Sequence, residues 1–132
     1  MTRIPTQSDN ADRPVVLVGH CLADQFMLKN ALRRLANGSP VRSINDRRTL
    51  DAALAERPVL LVNRVLDGRF GTDSGIELIR ELVAASPATA ILISNFEEAQ
   101  AEAVAAGAFE GFGKQDLYEL RTARIVEEAL SA

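Results

Sequence analysis

Apolar residues in this chain fall into two alternating kinds of segment. Val15-Val16-Leu17-Val18, Val59-Leu60-Leu61-Val62 and Ala90-Ile91-Leu92-Ile93 are apolar at every position, whereas Val41-Arg42-Ser43-Ile44 and Phe109-Glu110-Gly111-Phe112 alternate. A strand buried on both faces of a parallel sheet must be apolar throughout, and a strand with one wetter face alternates. The pattern therefore predicts the first, third and fourth strands at the centre and the second and fifth at the edges. With right-handed crossovers the simplest order is 2-1-3-4-5, an α/β architecture with helices on both faces of a five-stranded parallel sheet.

Helical periodicity fills the gaps. Leu28, Ala31, Leu32 and Leu35 make one apolar face at i, i+3, i+4, i+7, and Leu50, Ala53 and Leu54 mark a shorter helix. Ile76, Ile79, Leu82 and Val83 mark a third, with Asp73 or Ser74 as its N-cap. The stretch Phe96 to Ala106 stops at Gly107, and Leu117, Leu120, Val126, Ala129 and Leu130 support a last helix. Residues 1–13 are polar and aperiodic and read as a loose tail, so one domain over 14–132 accounts for the rest.

Composition narrows the function classes. At 132 residues, 47% hydrophobic and 25% charged, the chain has the make-up of one soluble globular domain. A net charge of −3, with the Arg33-Arg34 and Arg47-Arg48 pairs set in mixed segments, argues against nucleic-acid binding. No apolar run approaches the roughly 20 residues of a membrane span, and the N-terminus lacks the apolar core of a signal peptide. The single cysteine, Cys21, excludes an internal disulfide and a cysteine zinc site, and suits a cytoplasmic setting.

In an open sheet of this order the functional crevice lies at the carboxyl ends of the strands, where strand order reverses between strands 1 and 3. The residues there are Gly19-His20-Cys21, Asn63-Arg64, Ser94-Asn95 and Gly113-Lys114. Several motifs accompany them in order: Leu66-Asp67 followed by Ser74-Gly75-Ile76-Glu77-Leu78, then Ile91-Leu92-Ile93-Ser94, Ala105-Ala106-Gly107-Ala108 and Lys114. From residue 14 to about 131 the chain resembles the CheY-like receiver domain of bacterial response regulators, a flavodoxin-like fold. The resemblance implies a stand-alone signalling module of a two-component or phosphorelay system. Its partners would be a kinase, an output protein or a second copy, with a homodimer forming through strand 5 and its flanking helices.

Receivers place two acids after strand 1, a phosphorylatable Asp after strand 3, a Ser or Thr after strand 4 and a Lys after strand 5. At the matching positions stand Gly19 and His20, Asn63, Ser94 and Lys114. Only the last two fit. Mg²⁺ requires hard oxygen ligands, usually including a carboxylate. A divalent cation beside Lys114 without compensating charge is unfavourable by several kcal/mol at an effective dielectric of about 20. An Asn amide is no acyl-phosphate nucleophile. The expectation is a degenerate receiver with no enzymatic activity, catalytic residue, metal or cofactor, acting through protein–protein contact. Within it Asn63 either mimics one signalling state or hydrogen-bonds Lys114 or the backbone. Lys114 and Ser94 either grip an anion or are vestigial, Lys114 then pairing with Asn63 or solvent.

Two alternatives accompany this reading. An unusual phosphoacceptor would use another Asp, Asp67, and a flavodoxin-like domain could hold a small anion or ligand in the crevice. The loop after strand 3 exceeds the family norm by about four residues, Gly68-Arg69-Phe70-Gly71, and makes Arg69 and Phe70 a candidate contact surface. Gly111 stands where receivers often carry an aromatic switch residue, so the usual hydroxyl-to-aromatic coupling with Ser94 is incomplete.

Overall fold

A computed structural model describes residues 13–132. Its strands are β1 (Val15–Val18), β2 (Val41–Ile44), β3 (Val59–Asn63), β4 (Thr89–Ile93) and β5 (Phe109–Phe112). The helices are α1 (Leu22–Leu35), α2 (Arg47–Ala53), α3 (Gly75–Ala85), α4 (Glu97–Ala105) and α5 (Leu120–Leu130). All strand pairs are parallel and the order is 2-1-3-4-5, as the apolar pattern predicts.

Side-chain alternation divides the core between the two faces of the sheet. Val16, Val18, Leu60, Val62 and Leu92 pack against α2, α3 and α4 through Leu50, Ile79, Leu82 and Ala103. Val15, Leu17, Leu61, Ile91 and Phe112 pack against α1 and α5 through Leu28, Leu32, Val126 and Leu130. Burying each such side chain contributes about 1.5–3 kcal/mol, so both layers hold the sheet flat against its helices. Ser74 caps α3 by accepting from the Glu77 amide at 3.1 Å, one of the two caps the sequence offers. Leu117, expected in the last helix, is buried instead just after a 3-10 turn at Lys114–Asp116, and α5 begins at Leu120.

The tail expected over residues 1–13 lies outside the described residues except for Arg13, and Arg13 is no tail residue. Its side chain is buried, and its guanidinium donates to Arg57 O (2.7 Å), Leu130 O (2.8 Å), Ala129 O (3.1 Å), Ala132 O (3.0 Å) and Thr89 Oγ1 (3.2 Å). The last carbonyls of a helix have no partner within it. Arg13 supplies those of α5 and ties them to the amino end of β4.

Candidate functional site

The loops at the carboxyl ends of β1, β3, β4 and β5 converge. Asn63, Arg64, Ser94, Asn95, Phe96 and Lys114 line a crevice of about 290 Å³. The sheet's register brings these together, since Asn63 ends β3 opposite Ile93, the residue before Ser94.

Gly19 leaves β1 with φ +76°, and a Cβ there would lie 2.6 Å from the Leu66 side chain. The left-handed backbone and the close approach both require glycine, so an acidic side chain has no place at this position. His20, next in the chain, turns into the protein and is fully buried. Its Nε2 donates to Leu61 O at 2.9 Å, which leaves Nδ1 unprotonated and without a partner among the described residues. Burial drives its pKa down to about 4; the Leu61 bond opposes this and the Lys114 charge adds to it. The imidazole is neutral at physiological pH. It is not among the residues lining the crevice.

The Asn63 amide donates through Nδ2 to Gly19 O (3.0 Å) and Val65 O (2.8 Å). Of the roles open to it in the sequence, the backbone bond is the one present. Gly19 O also accepts from the Asp67 amide at 2.9 Å, so the loops after β1 and β3 are tied together at one carbonyl. Asp67 is itself exposed and is not among the residues lining the crevice.

Lys114 does not pair with Asn63. Its ammonium forms an ion pair with Asp24, in the first turn of α1, and this hydrogen bond holds the Asp24 carboxyl below the usual carboxylate range. Asp24 restores a carboxylate to the site from a position the receiver motif does not use. Ser94 is nearly buried, and its Oγ accepts from the Phe96 amide at 3.1 Å, turning the chain into α4. The Arg64 guanidinium lies over the Phe96 ring at 4.9 Å and closes one side of the crevice. Arg64 and Asn95, expected at the crevice because they follow strand ends directly, do line it, whereas Asp24 was missed by sequence reasoning. Cys21 is exposed at the start of α1 and forms no disulfide.

No known family model matches the sequence, and no curated protein matches it. Solved structures do. The signal receiver domain of a DNA-binding response regulator from Colwellia psychrerythraea 34H superposes with a TM-score of 0.68 at 16% identity, covering 92% of this chain and 100% of that one. A response regulator from Thermotoga maritima gives 0.70 at 20% identity, over 92% and 99% of the two chains. The beryllofluoride-activated NtrC4 receiver domain dimer gives 0.64 at 20%, over 89% and 98%. The chain has the receiver fold.

A receiver fold implies a Mg²⁺ site beside the nucleophile position, and the donor set here does not fit one. Gly19 has no side chain, the His20 imidazole is engaged with Leu61 O, the Asn63 amide presents its nitrogen to two carbonyls, and Asp24 is neutralised by Lys114. No group of three or more His, Cys, Asp or Glu side chains is gathered for a metal among the described residues.

The receiver's switch position is altered as well. Gly111 is buried, and a Cβ on it would collide with Gln100 Oε1 and Leu92 O. Gln100 reaches from α4 to donate to Leu92 O (2.9 Å), Ser94 O (3.0 Å) and Phe112 O (3.3 Å) at the register irregularity between β4 and β5. A helix side chain thus fills the space beside β5. In the elongated loop the two expected contact residues part company: Phe70 is only 4% exposed and belongs to the core with Val18, Ile44 and Leu50, while Arg69 is exposed. The expectation for Phe70 is corrected by that burial, because an apolar ring between two glycines can fold inward. No helix among the described residues is long and apolar enough to cross a membrane.

Proposed function

We propose that this chain is a degenerate receiver acting as a phosphorylation-independent protein-interaction module in bacterial two-component signalling, cytoplasmic and without catalysis of its own. The observation that carries this reading is the Asn63 amide donating to Gly19 O and Val65 O. At the position of the phosphoacceptor stands a side chain that works as a backbone cross-link. It is not nucleophilic, and both its N–H groups are spent on carbonyls.

The partner is another signalling protein or a second copy. Support for a second copy comes from the NtrC4 receiver, described as a dimer, and from the exposed Val104 and Phe109 on the α4–β5–α5 side of this chain. The test of the main reading is incubation with Mg²⁺ and a small acyl-phosphate donor followed by intact mass. The expected spectrum shows the unmodified protein. A single phosphate addition that disappears on Asn63→Ala or on withholding Mg²⁺ overturns the reading.

A second reading makes Asp67 the acceptor. It rests on the Asp67 amide bonding Gly19 O, which brings that loop to the end of β1. A hydroxylamine-sensitive phosphate mapped to Asp67 would establish it.

A further inference from the structure

The loop segment Gly68-Arg69-Phe70-Gly71 is docked at several points. The Arg69 amide donates to Asn45 O at 2.9 Å, the Arg47 amide donates to Arg69 O at 2.8 Å, and Asp46 and Arg69 form a parallel bridge. Gly68, at φ +124°, approaches Asn45 O too closely for any side chain, and Phe70 anchors the next residue in the core. Arg69 is therefore presented from a fixed backbone rather than from a mobile tip.

That docking places three arginines around one open hollow, lined by Asn45, Asp46, Arg47, Arg48, Gly68 and Arg69. They are not equivalent. Arg47 is committed to Asp51 and Glu81, each at 2.9 Å. The carboxylate of Asp46 is turned onto the Thr49 amide and hydroxyl, both at 2.8 Å, as the cap of α2. Arg48 and Arg69 are exposed, and neither guanidinium has a hydrogen-bond or ion-pair partner among the described residues.

We propose that this hollow is a docking site for an acidic segment of a partner protein, with Arg48 and Arg69 each taking a carboxylate. The inference rests on the domain being a protein-interaction module, and it names the chemistry of what is bound. A guanidinium fork matches a carboxylate bidentately. Exposed pairs are individually weak, so two such sites on a rigid frame favour carboxylates linked along one chain over a free anion. A nucleic acid fits less well. A nucleic acid carries a phosphate at every nucleotide, and only Arg48 and Arg69 here lack a salt bridge. An acidic segment can place two carboxylates on them and keep uncharged residues beside the carboxylates of Asp46, Asp51 and Glu81.

The test is amide chemical-shift mapping on the full chain at low salt with four probes. These are a Glu/Ser decapeptide, its Lys/Ser counterpart, a ten-nucleotide single-stranded DNA and inorganic phosphate. The expected result is saturable shifts confined to residues 45–48 and 68–69 with the Glu/Ser peptide, weakened about fivefold or more in Arg48→Gln/Arg69→Gln, the effect of losing two exposed pairs. The variant's own spectrum verifies that it folds. Absence of local shifts, equal binding by the variant, or tighter binding of DNA or phosphate at the same amides overturns the proposal. A phosphate on Asn63 in the mass experiment would overturn the site reading while leaving these shifts unchanged, so the two failures are separable.

Discussion

Asn63 and Gly19 are joined by a hydrogen bond in which the side-chain amide donates to the backbone carbonyl at 3.0 Å. The direction of that bond decides what the position tolerates. A carboxylate has no proton to give, so Asn63→Asp would set a charged oxygen against Gly19 O and Val65 O and leave both carbonyls short of a donor. The expected cost is about 1–3 kcal/mol of stability, read from urea unfolding at neutral pH. The same variant is expected to stay unmodified with Mg²⁺ and an acyl-phosphate donor, because restoring the acid restores no metal ligand at Gly19 or His20.

His20 makes stability depend on pH in a definite window. Its pKa falls from 6.5 in the unfolded chain to about 4 in the folded one. Between those values the unfolded state binds more protons, so stability rises with pH across the window and is lost on acidification. At about 1.4 kcal/mol per pKa unit the full effect is about 3 kcal/mol. Denaturant titrations from pH 7 to pH 4 should show this slope, and His20→Gln, which keeps a donor for Leu61 O but has no proton to gain, should flatten it. An equal slope in the variant would assign the pH dependence elsewhere.

Asp24 and Lys114 are partly buried, with side chains 26% and 30% exposed. A double-mutant cycle through Asp24→Asn and Lys114→Met should return a coupling of about 1 kcal/mol at neutral pH. The Asp24 carboxyl is depressed in the folded state, so its contribution is present above the unfolded carboxylate value and fades as pH falls through the lower folded value. The coupling should therefore survive at pH 5, where protonation of His20 in the unfolded chain has already removed about 2 kcal/mol of stability. Thermal melts of the four proteins at the two pH values measure it.

The sheet was legible in the sequence because strand centrality writes itself as uninterrupted apolar residues. β2 and β5 coincide with the predicted runs, while β3 and β4 each extend one residue beyond them. The positions of Gly19, His20, Asn63, Ser94 and Lys114 were legible too, since they follow strand ends. What their side chains do was not. Asp24 looks like any polar residue in the first turn of an amphipathic helix, and nothing local ties it to Lys114, 90 residues away. Gln100 sits on an Ala- and Glu-rich helix with no sign of its three buried carbonyl partners. Phe70 lies in a loop without periodicity, so its burial has no pattern to announce it. Arg13, beside a proline and a polar stretch, reads as tail until the end of α5 arrives to need it.

Gly111 offers the sharpest test of whether the receiver's aromatic switch could be returned to this chain. A Cβ there meets two obstacles, the Gln100 side-chain oxygen and the Leu92 carbonyl. The first is a flexible side chain and can move; the second is sheet backbone and cannot move without breaking β4. Gly111→Ala should therefore destabilise by about 1–3 kcal/mol, as overpacking of a well-packed site does. Gln100→Ala alone should cost a similar amount by depriving three carbonyls of a donor. If only the side chain mattered, combining the two would recover the Gly111→Ala loss. Because Leu92 O remains, the double variant is expected to be no more stable than either single one in urea unfolding. A Tyr or Phe at 111 inherits the same backbone collision at its Cβ before its ring is placed. Reinstating the aromatic residue would then loosen the β4–β5 edge instead of reviving the switch.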